Sequence, residues 1–296
     1  MHDQATDRYR RHDSLMSASP ISNVSDTARW VAVYRAQESA RPDALFHDPY
    51  ARLLAGERGQ AIASFMPRQA RNGWPLIART KLMDDLILAI IRQGCDCVVN
   101  LAAGFDTRPY RLDVPWSLQW IEADLPALTD EKEELLKDAE PRCQLRRIKV
   151  DLADHSARVA MLKDAVGSSR NALVITEGLL VYLDEAQVRS LAMDLGAPAG
   201  IRWWILDLAS PALLQMMARS MGPQLANAPM KFGPANGVAF FEDLGWRATH
   251  VQSVLRAAAR FRRLPWTLKL FTFLPEPNPR SPGRAPWSAV VQLGRS

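Results

Sequence analysis

The chain has 296 residues, of which 48% are hydrophobic, 23% charged and 8% aromatic, a composition that excludes a disordered or fibrous protein. That length holds one large domain or two small ones, and no apolar run approaches the roughly 20 residues needed to cross a bilayer. The net charge of +5 arises from 37 basic and 32 acidic residues interspersed along the chain. The densest basic groups, Arg8-Tyr9-Arg10-Arg11 and Arg262-Arg263, are too short for a nucleic-acid stripe, so no nucleic-acid partner is expected; a moderate positive field suits small anions equally well.

Met1 to Pro20 mixes His, Asp, Arg and Ser without an apolar stretch, so residues 1–20 read as a mobile polar tail without a secretory signal. Three cysteines make no disulfide framework, and the expected location is the cytoplasm, with no membrane partner. Residues 21–78 read as a helical region. Ser25 to Gln37 and Tyr50 to Leu54 look helical, with Asp48-Pro49 supplying a cap and a first-turn proline.

From Arg79 to the end, residues 79–296, helices and strands alternate. Leu82, Met83, Leu86, Ile87 and Ile90 recur at helical spacing up to Gly94. Strands are expected at Cys97 to Leu101, Leu118 to Ala123, Leu145 to Val150, Ala172 to Thr176 and Arg202 to Leu208. Between them lie helices at Leu125 to Asp138, His155 to Val166 and Glu185 to Leu195, the last opening on an Asp184/Gln187 capping box. This alternation predicts an α/β fold, a parallel sheet with helices on both faces. Two late apolar stretches, Leu268 to Leu274 and Ser288 to Leu293, are candidates to close the sheet. The Met-, Pro- and Gly-rich segment from Ala209 to Phe241 is expected to cap a pocket.

In an open parallel sheet the ligand sits beyond the carboxyl ends of the strands. Strand one is followed by the small-residue turn Ala102-Ala-Gly-Phe-Asp-Thr-Arg108, strand two by Asp124, strand three by Asp151 and strand four by Glu177-Gly178. Asp124 lies 20 positions past Gly104, the spacing at which a carboxylate accepts from both ribose hydroxyls, and an Asp after the third strand can meet an adenine edge. Gly-x-Gly-x-x-Gly is absent. Ala102 and Ala103 stand where a dinucleotide fold needs glycine beside its pyrophosphate, which favours a smaller adenosyl ligand over NAD.

Several segments together resemble the leucine carboxyl methyltransferase family: Val98-Val-Asn-Leu-Ala-Ala-Gly-Phe-Asp-Thr-Arg-Pro-Tyr-Arg-Leu112, Glu122-Ala-Asp-Leu-Pro126, Val150-Asp-Leu152 and Thr176-Glu-Gly-Leu-Leu-Val-Tyr-Leu183. Thr27-Ala28, Arg35-Ala36, His47-Asp-Pro-Tyr50, Ala78-Arg-Thr80 and Leu244-Gly-Trp246 extend the likeness from about Asp26 to Trp246. The resemblance implies a Rossmann-like class I methyltransferase that uses S-adenosylmethionine. By position it implies that Arg79 pairs with the methionine carboxylate, Gly104 admits the cofactor, Asp124 holds the ribose, Asp151 and Leu152 frame the adenine, and Glu177 lies by the methionyl end. Ala102 replaces a glycine found in many members.

Each of these residues also has a plain structural reading. Arg79 could be a surface residue paired with Asp84 or Asp85, Asp124 and Asp151 could cap the helices that follow them, and Tyr182 is as well suited to a core as to a substrate site. His47-Asp-Pro-Tyr50 is superficially like the Asp-Pro-Pro-Tyr signature of amino-methylating enzymes, but it lacks one proline and is better explained as a helix cap. Cys95, Cys97, Cys143 and the five histidines have no ligand spacing, so no metal is expected.

Methyl transfer from a sulfonium is an in-line displacement in which alignment supplies much of the acceleration. A carboxylate acceptor is ionised at neutral pH and needs no base, whereas a phenol or alcohol usually needs one. The expected activity is therefore O-methylation of a small-molecule carboxylic acid, with Arg35 or Tyr182 as orienting groups. Methylation of a hydroxyl or phenol on a natural product, and a nonenzymatic adenosyl-binding module, are the alternatives.

Overall fold

The computed structural model describes residues 21–295; the N-terminal segment expected as a tail lies outside them. The first described elements are helices α1 (Asp26–Ser39), α2 (Ala51–Phe65) and α3 (Trp74–Arg92). Asp48 serves as the expected cap, its Oδ1 accepting from the backbone N–H of Tyr50 (3.2 Å) and Ala51 (3.0 Å). Helix α2 runs on well past Leu54 because its break at Gly56, where φ is +56°, interrupts the helical pattern without ending the helix.

The sheet has seven strands: β1 (Cys97–Leu101), β2 (Gln119–Asp124), β3 (Gln144–Lys149), β4 (Ala172–Thr176), β5 (Ile201–Ala209), β6 (Arg247–Ser253) and β7 (Ser288–Gly294). Their order across the sheet is β3-β2-β1-β4-β5-β7-β6. The first five strands pair in parallel, and β7 inserts antiparallel between β5 and β6. Helices α4 (Pro126–Leu135), α5 (His155–Val166) and α6 (Glu185–Gly196) follow β2, β3 and β4. The Asp184/Gln187 capping box at the start of α6 is present in both directions. Beyond β5 come α7 (Pro211–Met221) and, after β6, α8 (Val254–Arg260).

Strand alternation distributes the core over both faces of this Rossmann-like sheet. Cys97, Val99 and Leu101 of β1, with Val174 of β4 and Trp204 and Leu206 of β5, pack against α5 and α6. Val98, Leu173 and Ile205, pointing the other way, pack against α3 and α8. A third cluster joins α1 and α2 to Phe105 and Tyr110 of the segment after β1.

The expected closing strand at Leu268 to Leu274 does not form. That stretch lies in a 3-10 helix, Trp266–Phe273, with no buried residue. Pro265 fixes its start, and β7 already fills the place beside β5. Strand β6 takes the outer position instead. Its mixed and largely exposed side chains carry no apolar run by which sequence could reveal it.

One buried ion cluster lies under the sheet edge. Lys132, 2% exposed, donates to Glu122 Oε1 at 2.8 Å, and Arg147 donates to the other oxygen at 2.9 Å. Glu122→Ala leaves Lys132 buried without its partner and is expected to cost about 3–5 kcal/mol. Urea unfolding checks this; a loss below about 1 kcal/mol would show that the lysine finds water or another partner.

Candidate active site

The carboxyl ends of β1 to β5 converge on a cavity of about 540 Å³. All eight residues singled out in the sequence line it: Arg35, Arg79, Gly104, Asp124, Asp151, Leu152, Glu177 and Tyr182. Their local geometry decides among the readings left open above.

Arg79 projects from α3 toward the strand ends, not to the surface. Its Nε lies 3.0 Å from Glu177 Oε1 and its Nη1 2.9 Å from Asp207 Oδ2. Asp84 pairs with Arg108 and Arg111 instead, and Asp85 with Lys81. Asp124 does not cap α4, whose first turn has no side-chain cap. Its Oδ2 accepts from the Gly104 N–H at 2.6 Å and its Oδ1 from the Leu125 N–H at 2.7 Å. Asp151 is exposed and accepts from the Ala153 N–H at 2.9 Å, while Asp154 caps α5 by accepting from Ala157. Leu152 packs against the core, and its carbonyl accepts from Arg158 at 2.6 Å.

The turn after β1 is held from below. Arg35, 7% exposed, donates from Nε to Asp48 Oδ2 at 2.8 Å and from Nη2 to the Phe105 carbonyl at 2.5 Å. Thr107 donates to the same Asp48 oxygen at 2.6 Å. The motif containing His47 to Tyr50 thus reaches the cavity indirectly, as a strut beneath the turn. Tyr182, in a 3-10 turn after β4, is hydrogen-bonded to Thr27 of α1.

Sequence reasoning missed the ion array behind Glu177. Glu177 Oε2 lies 2.7 Å from Arg108 Nη1, which also meets Asp106 at 2.8 Å, while Arg108 Nε meets Asp84 at 2.7 Å. Arg111 grips Asp84 through two nitrogens, and Asp207 also accepts the Gly178 N–H at 2.7 Å. Three guanidiniums, those of Arg79, Arg108 and Arg111, therefore face four carboxylates, those of Asp84, Asp106, Glu177 and Asp207. Asp207 had a signal in sequence: it is the lone acid near the end of an otherwise apolar strand. Arg108 and Asp106 had none beyond their place in the turn.

Burial works against the Asp106 and Glu177 carboxylates, yet Arg108 beside both, with Arg79 beside Glu177, holds each below the ordinary carboxylate range. Burial pushes Asp124 up, and the N–H groups of Gly104 and Leu125 only partly offset it. Burial likewise pushes the Tyr182 phenol up. Two buried polar atoms on the cavity wall, Thr80 Oγ1 and Arg108 Nη2, have no protein partner among the described residues. A wall with paired charges, unmet polar atoms and an Asp at the glycine turn fits an adenosyl amino acid carrying a sulfonium.

The sheet order, the reversed β7 and a cavity at the strand ends define the class: a Rossmann-like methyltransferase that uses S-adenosylmethionine. The chain belongs to the leucine carboxyl methyltransferase family, whose sequence profile matches residues 28–195. A protein of Frankia alni named for S-adenosyl-L-methionine-dependent methyltransferase activity is 30% identical over 256 residues, covering 82% of this chain and 89% of its own. A Mycobacterium tuberculosis protein with the same kind of name is 31% identical over 254 residues, covering 77% of this chain and 78% of its own. The crystal structure of a DUF574 family protein from Streptomyces avermitilis superposes with a TM-score of 0.58 at 13% identity, covering 91% of this chain and 97% of that one, a likeness of fold.

Ala102 shows what the replaced glycine implies. It adopts φ +52°, a left-handed conformation that costs an L-residue roughly 1–2 kcal/mol, held by its N–H bond to the Ala123 carbonyl at 2.8 Å. Ala102→Gly removes the strain but adds unfolded-chain entropy of about 0.4–1 kcal/mol, so a net gain of about 0.5–1 kcal/mol is expected. A thermal melt checks this, and a lowered midpoint would mean that the turn stores no strain at this residue.

Proposed function

We propose that this methyltransferase acts on the oxygen of a small-molecule carboxylic acid. The observation that carries the reading is the make-up of the cavity wall, where the one carboxylate that burial pushes up, Asp124, already accepts from the N–H groups of Gly104 and Leu125. No histidine, lysine or cysteine lines it among the described residues. Asp106 and Glu177 are held in their ionised, weakly basic state by arginines. An acceptor that is already an anion needs no proton removed. Burial keeps Tyr182 protonated through the neutral range, so its phenol is a hydrogen-bond donor that orients the acceptor carboxylate.

In this reading Arg79, whose Nε and Nη1 are taken by Glu177 and Asp207, meets the methionine carboxylate with its remaining guanidinium nitrogen. Asp124 holds the ribose, Gly104 gives the backbone close approach, and Asp151 and Leu152 frame the adenine. Glu177 and Asp207, beside Arg79, mark the methionyl end, where bound S-adenosylmethionine supplies a methyl group already activated on sulfur. Arg35 acts on the reaction by fixing the turn through Asp48 and Phe105, as a positioning residue. The helical region 21–78 and the segment 209–241 form a roof over a Rossmann-like floor. A cytoplasmic setting agrees with three buried, unbridged cysteines whose thiols burial pushes up to about 11 for Cys95 and about 12 for Cys97 and Cys143. No described helix is long and apolar enough to cross a membrane.

Asp124→Ala removes the acceptor for the ribose hydroxyls and should weaken S-adenosylmethionine binding by about 1.5–3 kcal/mol, read as a Kd raised roughly 10- to 150-fold in calorimetry. An unchanged Kd would remove Asp124 from the cofactor site.

The pH dependence follows from the acceptor's charge. A carboxylate of ordinary pKa near 4 is fully ionised above about pH 6, and Tyr182 keeps its proton there, so kcat/KM should stay nearly flat from about pH 6 to 8. The product should be a base-labile methyl ester. A rate that climbs with pH, together with base-stable methyl ethers from phenols while the matching acids stay inert, would replace the carboxylate with a hydroxyl acceptor.

A further inference from the structure

Helix α7 is amphipathic, and its apolar face is only partly covered by protein: Met221 joins the core cluster of α1 and α2 and Met217 packs against it. Ser210 caps it, accepting from the Leu213 N–H at 3.3 Å, and Pro211 occupies its first turn. Leu213, Leu214, Met217 and Met221 fall on one side by their spacing. Of the whole helix only Met221 is buried. Leu213, Leu214 and Met217 remain half-exposed, and all four line the cavity. Gln215, Arg219 and Ser220 are exposed and outside the cavity lining.

The wall next to α7, where Gly233 lies against Leu214, is also apolar. The Val181 carbonyl accepts from the N–H groups of Lys231 (2.7 Å) and Phe232 (3.2 Å), which fixes Met230 and Phe232 on the cavity wall beside Tyr182. An apolar trough thus begins next to the phenol that would orient the acceptor.

We infer that the acceptor carries an apolar body that lies on α7 and completes the burial of its apolar face. The inference rests on the proposed acceptor chemistry only for which polar group sits at Tyr182. A small hydrophilic acid would leave Leu213, Leu214 and Met217 wet, forfeiting the burial that makes such a face worth presenting. Methionine thioethers adapt to different shapes, so the trough accepts linear and fused-ring bodies alike and selects for apolar area.

The test is calorimetric titration of the protein loaded with S-adenosylhomocysteine by straight-chain acids from butyrate to dodecanoate, with benzoate, 2-naphthoate and lactate alongside. Affinity is expected to rise about two- to fourfold per methylene until the trough is filled, with 2-naphthoate above benzoate and lactate weakest. Met217→Gln and Leu214→Gln should flatten that rise while leaving the Kd for S-adenosylmethionine unchanged; circular dichroism and the cofactor Kd confirm folding. An affinity independent of chain length, or lactate binding as well as decanoate, overturns the inference. Chain-length dependence shown by alkylphenols and not by acids upholds the trough and overturns the carboxylate reading, so the two failures are separable.

Discussion

Glu177 is the interaction on which the site depends. Its two oxygens meet Arg79 of α3 and Arg108 of the turn after β1, and Arg79 passes the connection to Asp207 of β5. One carboxylate at the end of β4 therefore fixes the helix before the sheet, the turn after the first strand and the end of the fifth. Asp84, on α3 and one and a half turns beyond Arg79, closes the loop by holding Arg108 and Arg111. Close packing in the core already limits slides between these elements, and the forked guanidiniums add fixed directions to it.

Such an array is a poor source of stability. Desolvating several charges offsets most of their attraction, and apolar replacements of the same shape would hold the fold as well. Its value lies in preorganisation: fixed dipoles and charges surround the place where a charged ligand sits and need not rearrange during reaction. The glycine turn follows a similar logic through Asp124, whose carboxylate spans Gly104 and Leu125 and is pushed up in pKa by burial, which the two N–H groups only partly offset.

Much of this was legible in sequence, for physical reasons that differ by element. Strands β1 and β4 and helix α5 are bounded in the structure where hydrophobic pattern and turn residues place them, because fully buried strands and capped helices have sharp ends in composition. The strand-end rule drew attention to Asp124, Asp151 and Glu177, and all three line the cavity. The rule could not say that Arg79 is shared between two carboxylates, since the pairing joins residues 98 and 128 positions apart. The apolar stretch from Leu268 to Leu274 misled for the opposite reason. Pattern records that a segment is apolar, not whether a strand edge is free to receive it, and β7 had taken that place. Likewise Asp48 reads as a cap and is one, but its other oxygen binds Arg35 and Thr107, a tertiary role no local pattern contains.

The two halves of the cavity are built by different physics, and that division separates their tasks. The floor is made of strand ends, short hydrogen bonds and paired charges, so it is stiff and suits a ligand of fixed shape. The roof is made of the apolar side of α7 and the irregular chain around Met230 and Phe232, held to the floor near Tyr182 by backbone bonds to the Val181 carbonyl. Dispersion and apolar burial have no preferred direction, so on the proposed reading changes among Leu213, Leu214, Met217 and Met230 would alter what the roof accepts without disturbing the ion array beneath. On the proposed reading, such a fold would keep one cofactor and exchange its acceptors, with the charged floor constraining the first and the apolar roof, together with Tyr182, constraining the second.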